Sequence, residues 1–378
     1  MNEKIYDLAI VIHSLKFGGS EKFVLSLSNR FSERGFNVLL VLLERDNPLL
    51  IKLDNRIDCF ILSRRYKYDI SISLEISKIL SLKKIKKVLC VEPYAFFLTK
   101  IGDLINRKKR NIFLSLHHSK PTLWKKRVLD ILFLSISSVQ DKVIFICQYQ
   151  KICFKKSYYF IPFFSHVIYN GIDIDHFSPE RTLAELSQEQ LSWRKRLGIS
   201  DTDPVIVIVG RLSPEKGNIY AVEALIHLYR MYAMNVHLVF VGQGSNDIRN
   251  QLLSTAEDLT IHKLVHFEGA QLDVRPYLLT ADLFALTSIS ETFSLAVLEA
   301  LSMGLPCSLT DVGGARELIT DSRLGDLCTA CDPLSIACSW ASILKRDNDK
   351  EFIRGWTVQH FGEQHMVNEY IHSIGLQN

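Results

Sequence analysis

The sequence has no uninterrupted apolar run of about 18 residues, the length a spanning helix needs, so no membrane-crossing segment is expected. Its start, MNEKIYDLAIVIHS, is acidic and basic by turns before a short apolar run, which does not read as a secretory signal. No exact repeat or low-complexity tract occurs, and no long segment is polar enough to be disordered. Gly-x-Gly-x-x-Gly and Gly-x4-Gly-Lys-Ser/Thr are both missing, which argues against a dinucleotide or P-loop site. There is no recognised nucleic-acid motif, so nucleic acid is not an expected partner. The eight cysteines are scattered rather than paired in a framework, and most lie in apolar segments, where Cys acts as a small hydrophobe. Cys328-Thr-Ala-Cys331, followed by Cys338, has no nearby His to complete a zinc site, so no metal is expected there and a reducing cytosol is the natural reading.

What is present is apolar substance and rhythm. The 378 residues suffice for about two domains of ordinary size, and 47% are hydrophobic. Buried-strand patterns at 8–13, 36–43, 86–92, 111–116 and 141–147 alternate with helical patterns such as 21–35, the signature of a parallel sheet with helical crossovers. The rhythm breaks in a polar, proline-marked stretch at about 173–203. It resumes with strands at 204–210, 236–242, 263–269, 281–288, 305–311 and 324–330, and helices at 218–232 and near 246–257. The fold class is therefore α/β, with a first domain at 1–178, a linker region at 179–203 and a second domain at 204–356.

The net charge of +4 conceals an asymmetry: residues 1–178 carry +13 and residues 179–378 carry −9. The basic clusters LKKIKKVL (82–89), NRKKR (106–110) and WKKRVLDILFL (124–134) are interleaved with large apolar residues. That pattern suits an anionic membrane surface or a polyanionic substrate; a solvated basic face is the plain alternative.

Four loops fall at carboxyl ends of expected strands, where ligands of such sheets sit. HSLKFGGSEK (13–22) places Gly18-Gly19 between strand and helix, so backbone approaches a phosphate or sugar closely. SLHHSK (115–120) ends a strand with two histidines. GRLSPEKG (210–217) supplies Arg211 and Lys216 before a helix, a set able to neutralise a pyrophosphate. In SISETFSLAVLEALSMGLP (288–306) a helix is expected to begin near Ser294, with free N–H groups for a phosphate. Glu291 precedes that helix. Glu299 lies about 12 Å further along its axis, too far for a glycosidase carboxylate pair, which sits roughly 5–10 Å apart. A lone acid in so apolar a run needs hydrogen-bond donors, from the protein or from a ligand.

Taken together, these loops resemble the retaining glycosyltransferases of family 4. Glu291-x7-Glu299 with Gly304-Leu305-Pro306 is similar to that family's E-x7-E signature. Gly210-Arg211-Leu212 with Glu215-Lys216-Gly217, Tyr169-Asn170-Gly171-Ile172-Asp173 with Phe177, Val241-Gly242-Gln243-Gly244, Gly313-Gly314 before Glu317, the glycine loop and the tail Phe361–Tyr370 also match. The resemblance implies a GT-B fold: two Rossmann-like domains whose parallel sheets face across a cleft, the first binding acceptor, the second a nucleotide-sugar, and a final helix, 357–378, packing back onto the first. It implies that Arg211 and Lys216 hold the diphosphate, that Ser294 and Leu295 give it N–H groups, and that Glu299 accepts the ribose hydroxyls. Glu291 with Phe293 touches the donor sugar, Gly18 and Gly19 approach the phosphates, Gly242 lies at the donor, and His117, rather than His118, sits near the reacting sugar. Ser20 and Ser294 stand where the family often has Ala and Gly, and Cys147 where Ser is common.

The expected activity is metal-independent retaining transfer of a hexose or N-acetylhexosamine from a nucleoside diphosphate sugar, a UDP-sugar for preference, to a glycan or lipid-linked acceptor. No cofactor is expected, and no Asp-x-Asp pair stands positioned for a metal. The implied setting is surface polysaccharide synthesis (lipopolysaccharide or capsule) in the cytoplasm, peripheral on the inner face of the membrane. A nucleotide-sugar epimerase of the same fold, or a non-catalytic sugar-nucleotide-binding subunit, are the alternatives.

Overall fold

The computed structural model describes residues 4–16, 18–66, 69–118, 124–138, 140–158 and 164–377. Phe17 of the glycine loop and residues 119–120 of SLHHSK lie outside them. The chain divides into two compact units, one made of Met1–Asn170 with Gln364–Asn378, the other of Gly171–Glu363.

The first unit is built on seven parallel strands: β1 (Leu8–Ile12), β2 (Val38–Leu42), β3 (Asp58–Ile61), β4 (Lys87–Val91), β5 (Asn111–Leu116), β6 (Lys142–Phe145) and β7 (Phe164–Val167), ordered β3-β2-β1-β4-β5-β6-β7. All five residues of β1 and of β2 are buried, as expected of parallel strands covered on both faces. Successive side chains point to opposite faces. Leu8, Ile10 and Ile12 join Phe23, Val24, Leu27 and Phe31 of the helix Gly19–Glu33, whereas Ala9 and Val11 join Ile72, Ile76 and Leu80 on the other side. That first helix stops at Gly35, whose φ of +86° suits a residue without a Cβ.

The stretch 357–378 is divided between the two units. Helix Lys350–Phe361 belongs to the second unit, Gly362 interrupts, and helix Glu363–Ile374 places Met366, Val367, Tyr370 and Ile374 in the first unit's core.

The second unit carries six parallel strands: β8 (Val205–Val209), β9 (His237–Val241), β10 (Val265–Gly269), β11 (Leu283–Leu286), β12 (Cys307–Thr310) and β13 (Gly325–Cys328), ordered β10-β9-β8-β11-β12-β13. Helix Asn218–Tyr232 buries Ala221, Val222 and Leu225 in one core with Trp340 of helix Pro333–Leu344. The stretch 179–203 is not a bare linker. It folds as three short helices, Pro179–Glu185, Gln188–Leu191 and Trp193–Arg196, within the second unit. Trp193 is 1% exposed, its ring centroid lies 5.0 Å from that of Tyr277, and its Nε1–H donates to Thr280 Oγ1 at 2.9 Å.

Candidate functional site

In each sheet the strand order reverses beside its first strand, between β1 and β4 and between β8 and β11. Ligands of open α/β sheets bind outside the carboxyl ends of the strands at such a switch.

Around the first strand of the second sheet the backbones come close on both sides. A Cβ on Gly242 would lie 1.8 Å from the carbonyl oxygen of Gly210, so only glycine lets the exits of β8 and β9 touch. The turn Pro214–Lys216 ends at Gly217, whose φ is +60° and whose Cβ would fall 2.2 Å from Thr287 O. Thr287 Oγ1 donates to Gly217 O at 3.1 Å, and the Ile289 N–H donates to Glu215 O at 2.9 Å. The loops after β8 and β11 are thus clamped together, which brings Lys216 Nζ to 2.5 Å from Glu291 Oε2. Arg211 extends from the same edge, 3.8 Å from Glu215, with its side chain 70% exposed.

Glu291 is fixed from behind. A Cβ on Gly313 (φ +62°) would meet Glu291 O at 2.2 Å, and the Gly314 N–H donates to Thr292 O at 2.7 Å. The ring of Phe293 is buried against that of Phe361, centroids 5.5 Å apart. Ser294 is the N-cap of helix Leu295–Ser302 without a side-chain cap bond, so that side chain consumes none of the first-turn N–H groups. Glu299, in the second turn, is 2% exposed. The structure therefore gathers Arg211, Lys216, Gly242, Glu291, Ser294, Leu295 and Glu299 on the loops and helix that follow β8, β9 and β11.

The first unit holds the other expected residues. Gly18 caps helix Gly19–Glu33 in an extended conformation, with the Glu21 carboxylate where its Cβ would be, while a Cβ on Gly19 would meet nothing within 4 Å. His117 follows β5. Its Nε2 pairs with Ser115 Oγ at 2.9 Å, which in turn pairs with Tyr370 Oη at 2.9 Å. Phe23 packs on its ring at 4.3 Å. Burial pushes the His117 imidazole down to about 4, so it is neutral at physiological pH.

His118 behaves in the opposite way. Its Nδ1 contacts Glu92 and its Nε2 lies 3.2 Å from Asp130. Burial opposes its charge, but Glu92 and Asp130 prevail and raise it to about 10. Glu92, whose carboxyl burial alone would raise, is held below its ordinary value chiefly by His118. A His whose folded value exceeds its unfolded value of about 6.5 adds stability that is full below that pH and lost as pH rises through about 10. The urea-midpoint gap between wild type and His118→Asn is accordingly expected to shrink between pH 7 and pH 10. A gap that widens over that range contradicts the pairing.

Sequence reasoning missed Glu92 and a cavity of ≈ 780 Å³ in this unit, lined in part by His13, Lys16, Glu44, Arg64, Tyr66 and Tyr94. Glu44 bridges His13 at 3.1 Å and Lys16 at 3.2 Å and also contacts Arg64, whose guanidinium lies 5.7 Å from the Tyr94 ring centroid. Burial and the neighbouring Arg64 charge hold His13 below its ordinary value. Such pairings, 20 to 51 residues apart in sequence, leave no local motif.

Among the described residues, no group of three or more His, Cys, Asp and Glu side chains gathers to hold a metal ion. Cys328 is buried and its thiol is pushed up to about 12, while Cys331 and Cys338 are exposed. No helix among the described residues is long and apolar enough to cross a membrane.

Two family models match the chain in succession: Glycosyltransferase Family 4 over residues 17–176, and Glycosyl transferases group 1 over residues 189–354. The chain belongs to the GT-B glycosyltransferases. Among curated relatives, this glycosyltransferase is 31% identical over 179 residues to the UDP-Gal:alpha-D-GlcNAc-diphosphoundecaprenol alpha-1,3-galactosyltransferase of Escherichia coli, covering 47% of this chain and 44% of that one. It is 29% identical over 207 residues to the N-acetyl-alpha-D-glucosaminyl L-malate synthase of Bacillus anthracis, covering 54% and 51%. The match thus spans about half the length of these curated relatives. Among solved structures, Anabaena HepE in complex with UDP-glucose superposes with a TM-score of 0.82 at 20% identity, covering 98% of this chain and 99% of that one.

Proposed function

We propose that this glycosyltransferase moves a hexose or N-acetylhexosamine from a UDP-sugar to a hydroxyl of a glycan or lipid-linked acceptor in surface polysaccharide synthesis, with retention and without a metal. The observation that carries the reading is the set of donors at the edge of the second sheet: Lys216 against Glu291, Arg211 beside them, and the start of helix Leu295–Ser302, which no Ser294 side-chain bond caps. In this reading Arg211, Lys216 and the helix N–H groups hold the diphosphate, Gly18 and Gly19 approach it, Glu299 accepts the ribose hydroxyls, and Glu291 touches the sugar. The bond from the anomeric carbon to the diphosphate oxygen breaks, a bond to the acceptor oxygen forms on the same face, and the acceptor's proton passes to the leaving phosphate. Charge developing on the diphosphate meets preorganised donors, which is where most of the rate gain would arise.

The UDP in the donor name of the E. coli relative and the UDP-glucose bound to Anabaena HepE support the choice of nucleotide. The cavity around Glu44 and Arg64, with donors, acceptors and two tyrosines, suits the acceptor's sugar hydroxyls. A peripheral seat on the inner membrane face fits Leu104 and Ile105, exposed next to Arg107, Lys108 and Lys109, and Val128, Ile131 and Leu132, exposed on helix Trp124–Leu134.

The test is a panel of UDP-, GDP- and ADP-sugars scored by thermal stabilisation and then by product. A bound donor at 100 times its Kd adds about 2.7 kcal/mol, roughly 5–10 °C for a unit of this size. One UDP-sugar is expected to give that shift and to transfer its sugar to an acceptor with retention. Conversion of the sugar nucleotide without acceptor would mean an epimerase, and a shift with no transfer to any acceptor a binding subunit.

A further inference from the structure

We propose that Glu92 is a positioning residue for the transfer reaction: it fixes the backbone after β5 so that the His117 ring is held at the donor sugar. The inference rests on the proposed transfer reaction and on the place near the reacting sugar that the resemblance to the family 4 glycosyltransferases implies for His117.

Glu92 has φ +78° and ψ +152°, a region populated almost only by glycine. The other non-glycine residues with positive φ among those described, Lys84, Arg107, Ala233, Thr260 and Cys331, lie between +50° and +61°, the ordinary left-handed region. Glu92 alone departs further, and it does so at the carboxyl end of β4, at the sheet's switch point. Such a conformation persists only where its surroundings over-determine it. Here the surroundings are a single segment. The Glu92 N–H donates to Ser115 O at 3.0 Å, its Oε1 accepts the His117 N–H at 3.2 Å, and its Oε2 contacts His118. One residue thus grips three of four consecutive positions, 115, 117 and 118.

The His117 ring is located from three directions as a result. Its backbone hangs on Glu92, its Nε2 on Ser115, and its face on Phe23. Nδ1 is buried and has no hydrogen-bond partner among the described residues. A glycine at position 92 would relieve the backbone and be the natural choice if folding alone were served. A carboxylate there serves the neighbouring histidines.

The experiment compares wild type, Glu92→Gly, Glu92→Gln, His117→Ala and the double variant Glu92→Gly/His117→Ala. Glu92→Gly relieves the backbone but gives up the His118 pairing, so a lower melting point is expected at pH 7; beyond that, the folded enzyme is expected to lose about 100-fold in kcat, with donor KM changed less than 3-fold. Glu92→Gln, which keeps an acceptor for the His117 N–H, is expected to lose about 10-fold. In the His117→Ala background Glu92→Gly is expected to add less than 3-fold, because its effect passes through that ring. A loss equal in both backgrounds, or a kcat unchanged in Glu92→Gly, overturns the proposal.

A readout independent of turnover is the pair of ¹⁵N shifts of the His117 ring. Glu92→Gly is expected to move them, and unchanged shifts refute the proposal even if wild type transfers no sugar. That last result would instead sink the functional reading.

Discussion

Lys216→Ala and Arg211→Ala are each expected to lower kcat/KM for the donor by about 100- to 1,000-fold, the usual consequence of deleting one preorganised charge from a site where negative charge develops. The loss is expected to be larger for Lys216. Its side chain is 22% exposed and held against Glu291 by the clamp between the loops after β8 and β11, whereas that of Arg211 is 70% exposed. A charge shielded from water acts through a lower effective dielectric. Lys216→Arg is not expected to rescue, because a longer, planar guanidinium does not fit the place of the compact ammonium held against Glu291. Steady-state kinetics with binding of UDP alone would check this. Unchanged turnover in both alanine variants rules out the diphosphate role.

Gly313→Ala is expected to destabilise the second unit by more than about 2 kcal/mol, since alanine disfavours a φ of +62° and its Cβ would strike the Glu291 carbonyl 2.2 Å away. In a thermal melt this appears as a fall of about 4–8 °C. The same push displaces Glu291 from Lys216, so kcat/KM is expected to fall beyond what unfolding explains. Gly355→Ala is the control, because no atom lies within 4 Å of its Cβ position and its helix tolerates alanine. Equal melting of the two variants would refute the clamp.

The strands were legible wherever β-branched and apolar residues run unbroken, as in β1, β2, β8 and β9, because a parallel sheet covered on both faces demands that composition. Two strands escaped. β3 is an edge of four residues with none fully buried, and β7, the other edge, holds a serine and a histidine among its four. The helices of 179–203 were hidden by polar composition, although Ser178, whose Oγ accepts the Arg181 N–H, followed by Pro179, is a helix-start signal that could have been read. At the site, the loops after β8 and β11 could be read because their residues are close in sequence. The contact of Glu92 with His118 spans 26 residues and that of Lys216 with Glu291 spans 75, and both depend on which strands become neighbours. The φ of Glu92 has no signature at all, since nothing in its side chain asks for a glycine conformation.

The tail that supplies Val367, Tyr370 and Ile374 to the first core bears on how the chain is made. Multidomain chains generally complete their units in order as they leave the ribosome. Here the unit begun first must wait for residues 364–374, while residues 171–363 form a continuous unit and finish earlier. Until then the nascent polypeptide carries an uncovered patch around Phe23 and Leu27, and a chain cut before Met366 leaves that patch bare for good.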